Sequence, residues 1–206
     1  MIKGRNTIRR KTILKLWRKI QMSRLVLKNV RLSYANIWDP KPMKDDPDGK
    51  KRYSASLLIS KDDTKTLKAI QKAIEEAKIE GKSKLANKNG VIPKNIKLPL
   101  RDGDDDRSDD EAYEGCMFLN ANATADHPPK IVDRSVEPIL DRSEVYSGCY
   151  ANVSVDFYAF SVNGNSGIAC GLGNIQKVRD GERLTGERSA EDDFEALDDD
   201  EDDFLS

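Results

Sequence analysis

The chain has 206 residues and a net charge of −1, with 34% charged, 37% hydrophobic and only 6% aromatic residues. That length suits one domain of ordinary size with room for tails, and no run approaches the ~20 apolar residues of a membrane-spanning helix. Three cysteines without C-x-x-C spacing argue against a disulfide framework or a structural zinc site. A single histidine, His127, supplies little material for imidazole catalysis or metal ligation, so most enzyme classes are disfavoured.

The near-zero net charge hides a polarised chain. Residues 1–38 hold eleven Lys/Arg and no acid, whereas residues 187–206 hold eleven acids against Arg188 alone. Residues 1–22 form a basic extension with Ile8, Ile13, Leu14, Leu16, Trp17 and Ile20 intermixed, a pattern compatible with an amphipathic helix. Met22 opens a natural start for the first strand, so the expectation is an upstream extension outside the fold that need not be native. The folded domain is expected over 23–186. Like charges repel and resist burial, so 187–206 is expected to be a disordered acidic tail.

Arg24 to Tyr34 alternates, with Val30, Leu32 and Tyr34 on one face and Arg31 and Ser33 on the other, and reads as the first strand. A Pro-rich loop containing Trp38, Pro40, Pro42 and Pro47 closes at the turn dipeptide Asp48-Gly49. The second strand is Arg52 to Ile59, with Tyr53, Ala55, Leu57 and Ile59 sharing a face. Ser60 offers an N-cap with Asp63 three residues on, and Leu67, Ile70, Ile74 and Ala77 recur at helical spacing up to Gly81. Residues 82–110 show no sustained period and read as a long loop. The loop is basic from Lys82 to Arg101, with six cations and no acid, then acidic from Asp102 to Glu114, with eight acids and one Arg.

A third strand is expected over Glu114–Ala121, a short one near Lys130–Val132, and the clearest over Tyr150–Phe160. In the last, Ala151, Val153, Val155, Phe157 and Ala159 oppose Tyr150, Asn152, Asp156 and Tyr158. Asn163-Gly164 marks a tight turn, and Ile168, Cys170 and Leu172 lead the return arm of a hairpin. Several strands with one inserted helix do not make a doubly wound sheet. The expected class is mainly β: an OB-fold-like antiparallel barrel with an inserted helix and long charged loops.

Aromatic residues lie among basic ones: Arg31 with Tyr34 and Trp38, then Lys50, Lys51, Arg52 and Tyr53, then Tyr146, Tyr150 and Tyr158 on or beside the long strand. Unpaired nucleic acid exposes a charged backbone and stackable base faces, and cations with flat rings answer both, at roughly 1–3 kcal/mol per stacked base. Packing offers a plainer account of the same residues. The switch LPLRDGDDDR, with Lys97, Arg101 and Arg107 on or beside it, lacks the spacing of a calcium-binding loop, so no metal site, cofactor or catalytic residue is assigned. In the tail, Asp202, Asp203 and Phe204 offer an aromatic flanked by acids, suited to a partner's basic-rimmed pocket, and the whole anionic segment suits weak competition for a cationic groove.

The segments VRLSYANIWDP, KRYSASLLISK, LPLRDGDDDR, VYSGCYANVSVDFYAF and GLGNIQKVRDGERLTG resemble, in order, a family of phage-encoded single-stranded DNA-binding proteins long catalogued as a domain of unknown function. The resemblance spans Val30 to Gly186. It implies an OB fold, sequence-tolerant single-stranded DNA binding in phage replication or recombination, and an acidic tail that recruits replication or recombination proteins. The lack of an apolar spanning run or secretory core leads to the expectation of a cytoplasmic place in the host cell and no membrane partner, and a homodimer is compatible with the sequence. Carried over, Arg31 and Tyr34 fall in the first motif, Arg52 and Tyr53 in the second, Arg101 and Arg107 in the third, and Tyr146, Tyr150 and Tyr158 in the fourth. The alternative is a protein-interaction or recombination accessory module without direct DNA binding; a metal-dependent nuclease ranks third.

Overall fold

The computed structural model describes residues 24–42, 49–162 and 164–184. The expectations for the basic extension 1–22, for Pro47 and Asp48 of the first loop, for Asn163 and for the tail 187–206, with Asp202, Asp203 and Phe204, lie outside the described residues. Seven strands form one sheet: β1 (Arg24–Lys41), β2 (Arg52–Ser60), β3 (Leu100–Asp102), β4 (Cys116–Thr124), β5 (Ile131–Val132), β6 (Tyr150–Val162) and β7 (Asn165–Arg179). Their order is β3-β4-β2-β1-β6-β7-β5, and a further β4–β7 pairing closes β1, β2, β4, β7 and β6 into a five-stranded barrel. The closing pair is parallel, at Ala121↔Cys170 and Asn122↔Gly171, while the other barrel pairs are antiparallel. This is the OB-like barrel the alternating strands predict.

Inward residues follow the period of two. Leu27, Leu32, Leu57, Leu119, Ala121, Val153 and Ile175 are fully buried, and each large aliphatic among them is worth about 1.5–3 kcal/mol on transfer from water. The long strand runs to Val162, and its inward set of Ala151, Val153, Val155, Phe157 and Ala159 matches the pattern read from sequence. No helix among the described residues is long and apolar enough to cross a membrane.

The helix α1 (Thr64–Glu80) lays Ile70, Ile74 and Ala77 against the barrel. Its N-cap is Asp63, whose carboxylate accepts from Thr66 N at 3.0 Å, rather than Ser60, whose hydroxyl instead accepts from Asp62 N at 3.2 Å. A carboxylate accepts a cap hydrogen bond at least as well as a hydroxyl does. At the helix end Gly81 lies so close to Ala159 that an added Cβ would sit 2.1 Å from the alanine methyl. The loop expected over 82–110 contains short regular pieces: α2 (Lys82–Leu85), β3, and α3 (Gly103–Asp106). Between them, Lys97 pairs with Gly167 of β7 while Leu100–Asp102 pair with β4, so this segment fills the gap where β4 and β7 diverge.

β1 departs most from expectation. It continues through Trp38 to Lys41, and Trp38, expected in a loop, donates its indole N–H to Val145 O at 3.0 Å and packs on the core. Two bulges bend it. At the first, Asn29 adopts φ 52° and its N–H is held by Asn152 Oδ1 at 3.0 Å; at the second, Tyr34 adopts φ 45° between Ser33 and Asn36. An extra residue reverses the phase of everything after it, so Tyr34 does not follow Val30 and Leu32 inward but stands 50% exposed.

Candidate nucleic-acid interface

The register places one row of outward residues across six strands. Arg101 (β3) pairs with Phe118 (β4), Phe118 with Leu58 (β2), Leu58 with Arg31 (β1), Arg31 with Tyr150 (β6), and Tyr150 with Arg179 (β7). Three guanidinium groups and two rings thus share a line perpendicular to the strands. The Arg179 guanidinium carbon lies 3.4 Å from the Tyr150 ring centroid and that of Arg31 lies 6.0 Å from it, within the range of cation–π attraction. Next to them Arg183 lies 4.0 Å from the Tyr146 ring.

At the other end of the row the rings are covered. Phe118 and Tyr113 are fully buried, meeting edge to face at 5.1 Å, and Leu58 completes the cluster. The cover is the acidic segment after β3. Lys61 Nζ donates to Asp102 and Asp104 at 2.6 Å each, Gly115 N–H donates to Asp104 at 2.8 Å, and Arg101 Nε donates to Asp106 at 2.8 Å. These donors hold the Asp104 and Asp106 carboxyls below their ordinary range, and Asp102 and then Asp104 raise Lys61. Tyr34 joins the same cover: its hydroxyl donates to Asp110 at 3.1 Å and Arg107 lies 5.3 Å from its ring. Partial burial, then the Asp110 contact, raise its phenol. Asp102, Asp104, Asp106 and Asp110 of this segment thus bond their own neighbours, and no group of three or more metal-ligating side chains gathers among the described residues.

Beyond the row, the outer face of β1, β2 and β4 carries small polar residues: Ser33–Ser56–Asn120, then Asn36–Ser54–Asn122. Ser56 Oγ is buried and has no hydrogen-bond partner among the described residues. The next row brings exposed Arg52 opposite Thr124, with exposed Lys51 before it. Tyr158 is 45% exposed; burial and then Asp156 raise its phenol while the nearby Arg52 lowers it. Ser33 and Ser56 are buried, Asn36, Ser54 and Asn122 are half-buried and Asn120 is exposed, so the strip carries only short side chains between two cationic, ring-bearing ends.

The candidates named from sequence therefore separate. Arg31, Tyr34, Arg101, Arg107, Tyr146 and Tyr150 gather on or beside the row; Lys51, Arg52 and Tyr158 mark the opposite end of the strip; Lys97 is exposed at the barrel seam. Tyr53 and Trp38 are not brought to either group, since both are half-buried against the core. Arg179 and Arg183 were not named from sequence: pairing the hairpin's return strand back to Tyr150 is the signal that finds the first, and Arg183 follows from the chain turning back over Tyr146. There Arg31 donates to Glu182 O at 3.0 Å, Leu184 N–H donates to Ser147 O at 2.9 Å, and the Tyr146 hydroxyl lies 3.0 Å from Gly181 O.

The family model described as Enterobacter phage Enc34, ssDNA-binding protein, matches residues 23–205. A protein designated p50 of Acyrthosiphon pisum secondary endosymbiont phage 1 is 31% identical over 170 residues, covering 79% of this chain and 87% of that protein. Among solved structures, the single-stranded DNA-binding protein from bacteriophage Enc34 in complex with ssDNA superposes with a TM-score of 0.69 at 25% identity, over 79% of this chain and 90% of that one. Gp2.5, a single-stranded DNA-binding protein encoded by bacteriophage T7, shares the fold, with a TM-score of 0.55 at 16% identity over 81% of this chain and 97% of its own.

Proposed function

The chain belongs to the single-stranded DNA-binding protein family typified by Enterobacter phage Enc34, and on that premise we propose that it binds single-stranded DNA without sequence preference, as a non-enzymatic replication or recombination factor in the cytoplasm of an infected cell. The observation that carries this reading is the register-aligned row. Arg31, Tyr150 and Arg179 present a stacking ring between two cations, continued along the Ser/Asn strip to Arg52, Lys51 and Tyr158. Bases stack on the rings and phosphates meet the guanidiniums. No base edge needs to be read, so the binding tolerates any sequence.

Domain boundaries of 23–186 with a tail at 187–206 are part of the same reading. The polyanionic tail competes with DNA for the cationic row and recruits partner proteins through Asp202, Asp203 and Phe204, and a homodimer is compatible with it.

Titration of fluorescent oligo-dT at several salt concentrations tests the reading. Each phosphate neutralised on a single strand contributes about −0.7 to the slope of log affinity against log salt, so the neutralising variant Arg31→Gln/Arg179→Gln should flatten that slope by about 1.4. Oligo-dT binding that ignores salt, or no binding, would leave the protein-interaction module as the better account.

A further inference from the structure

On the far side of α1, a groove of about 690 Å3 runs between the last turns of that helix and residues 90–98. Its walls include Ile79 at 74% exposure, Val91 at 59% and Leu98 at 44%, three large apolar side chains left in water on one surface. Lys78, Lys82 and Lys94 stand around it, and the one acid there, Glu75, is already paired to Lys78 at 2.6 Å. An apolar floor with a cationic rim suits an anionic segment that carries apolar side chains.

This chain holds such a segment. Residues 185–206 carry eleven acids and one Arg, interrupted by Phe194, Leu197, Phe204 and Leu205. The described chain ends at Leu184, hydrogen-bonded to Ser147 just before β6, while the groove lies toward the other end of the barrel, where Lys97 meets Gly167 opposite Phe160. Ten residues of β6 separate those levels, about 33 Å at the rise of a strand. The 22 residues beyond Leu184 can extend to roughly 70 Å, which covers the path with Phe204 still free to insert.

We infer that this groove seats the acidic C-terminal segment, with Phe204 and Leu205 against Ile79 and Val91 and the acids against Lys82 and Lys94. The choice of occupant rests on the competing tail proposed above: the groove is where the tail goes when DNA holds the row. A photo-crosslinking phenylalanine analogue at position 204 of the full chain, activated with and without saturating oligo-dT and mapped by mass spectrometry, tests it. With DNA bound, cross-links are expected within residues 75–98 of the same chain, and Lys82→Glu/Lys94→Glu should abolish them with less than a twofold change in oligo-dT affinity. Cross-links elsewhere, between two chains, absent altogether, or indifferent to the charge reversal overturn the inference. A failure of the DNA-binding reading would show separately, in the oligo-dT titration of the unmodified protein.

Discussion

The two halves of the cationic row use the same residue types to opposite ends. At Arg101–Phe118–Leu58 the rings are sealed beneath Tyr113 and the acidic segment, and each guanidinium there already faces a carboxylate or a ring of its own. At Arg31–Tyr150–Arg179 the cover is thinner: Glu182 lies 3.9 Å from half-buried Arg31 and Arg179 lies 3.4 Å from the half-buried Tyr150 ring, but no buried aromatic cluster or acidic segment seals them among the described residues. Residue type alone thus does not set a ring's role; what lies over the residue decides whether a ring is sealed into the fold or left partly within reach of solvent.

Truncation on the covered side should separate the halves most sharply. Phe118→Ala removes a fully buried ring, with an expected loss of about 3–5 kcal/mol of stability, read as a lower urea midpoint, while the affinity of the folded fraction for oligo-dT stays within about twofold. Tyr150→Ala should behave inversely: a loss of roughly 1–3 kcal/mol in oligo-dT affinity and a much smaller change in the urea midpoint. Equal effects on both readouts in either variant would erase the distinction.

A finer probe is Tyr113→Phe. The Tyr113 hydroxyl is buried without a hydrogen-bond partner among the described residues, so its removal relieves an unpaired polar group and should raise stability by up to about 1 kcal/mol. A loss would show that the hydroxyl has a partner, such as a bound water.

The smallest effect is expected from acid. Asp104 and Asp106 keep their charge in the folded state at pH values where the unfolded chain already takes up protons. Their stabilising contribution is complete above the ordinary carboxylate range near 4 and is lost as pH falls through it toward the lowered folded values. Lys61→Met should therefore flatten the fall of the urea midpoint between about pH 5 and 3, with little change at Arg31 and Tyr150.

Much of the barrel was legible from alternation alone, because inward residues such as Leu57, Val153 and Val155 must recur every second position. Phe118 shows where that reading stops. It lies on the face of β4 opposite the inward Leu119 and Ala121, yet it is fully buried, because Tyr113 arrives over it from a segment with no period of its own. Tyr34 was misplaced because a bulge is a backbone event with no hydrophobic signature, and Trp38 because neighbouring prolines suggested a loop. Arg179 and Arg183 lay in plain view, but their meaning depends on strand pairing across the hairpin, which a linear pattern does not carry.

The bond from Leu184 to Ser147 fixes the point where the C-terminal segment leaves the barrel, a few residues from Tyr146 and Tyr150. On the competing-tail proposal, a segment tethered there would meet the row at an effective local concentration in the millimolar range, set by its length rather than by how much protein is present. Dilution would strip away a separate polyanion but not this one. The setting of such a brake would be the same in the first molecules made as in a cell crowded with them.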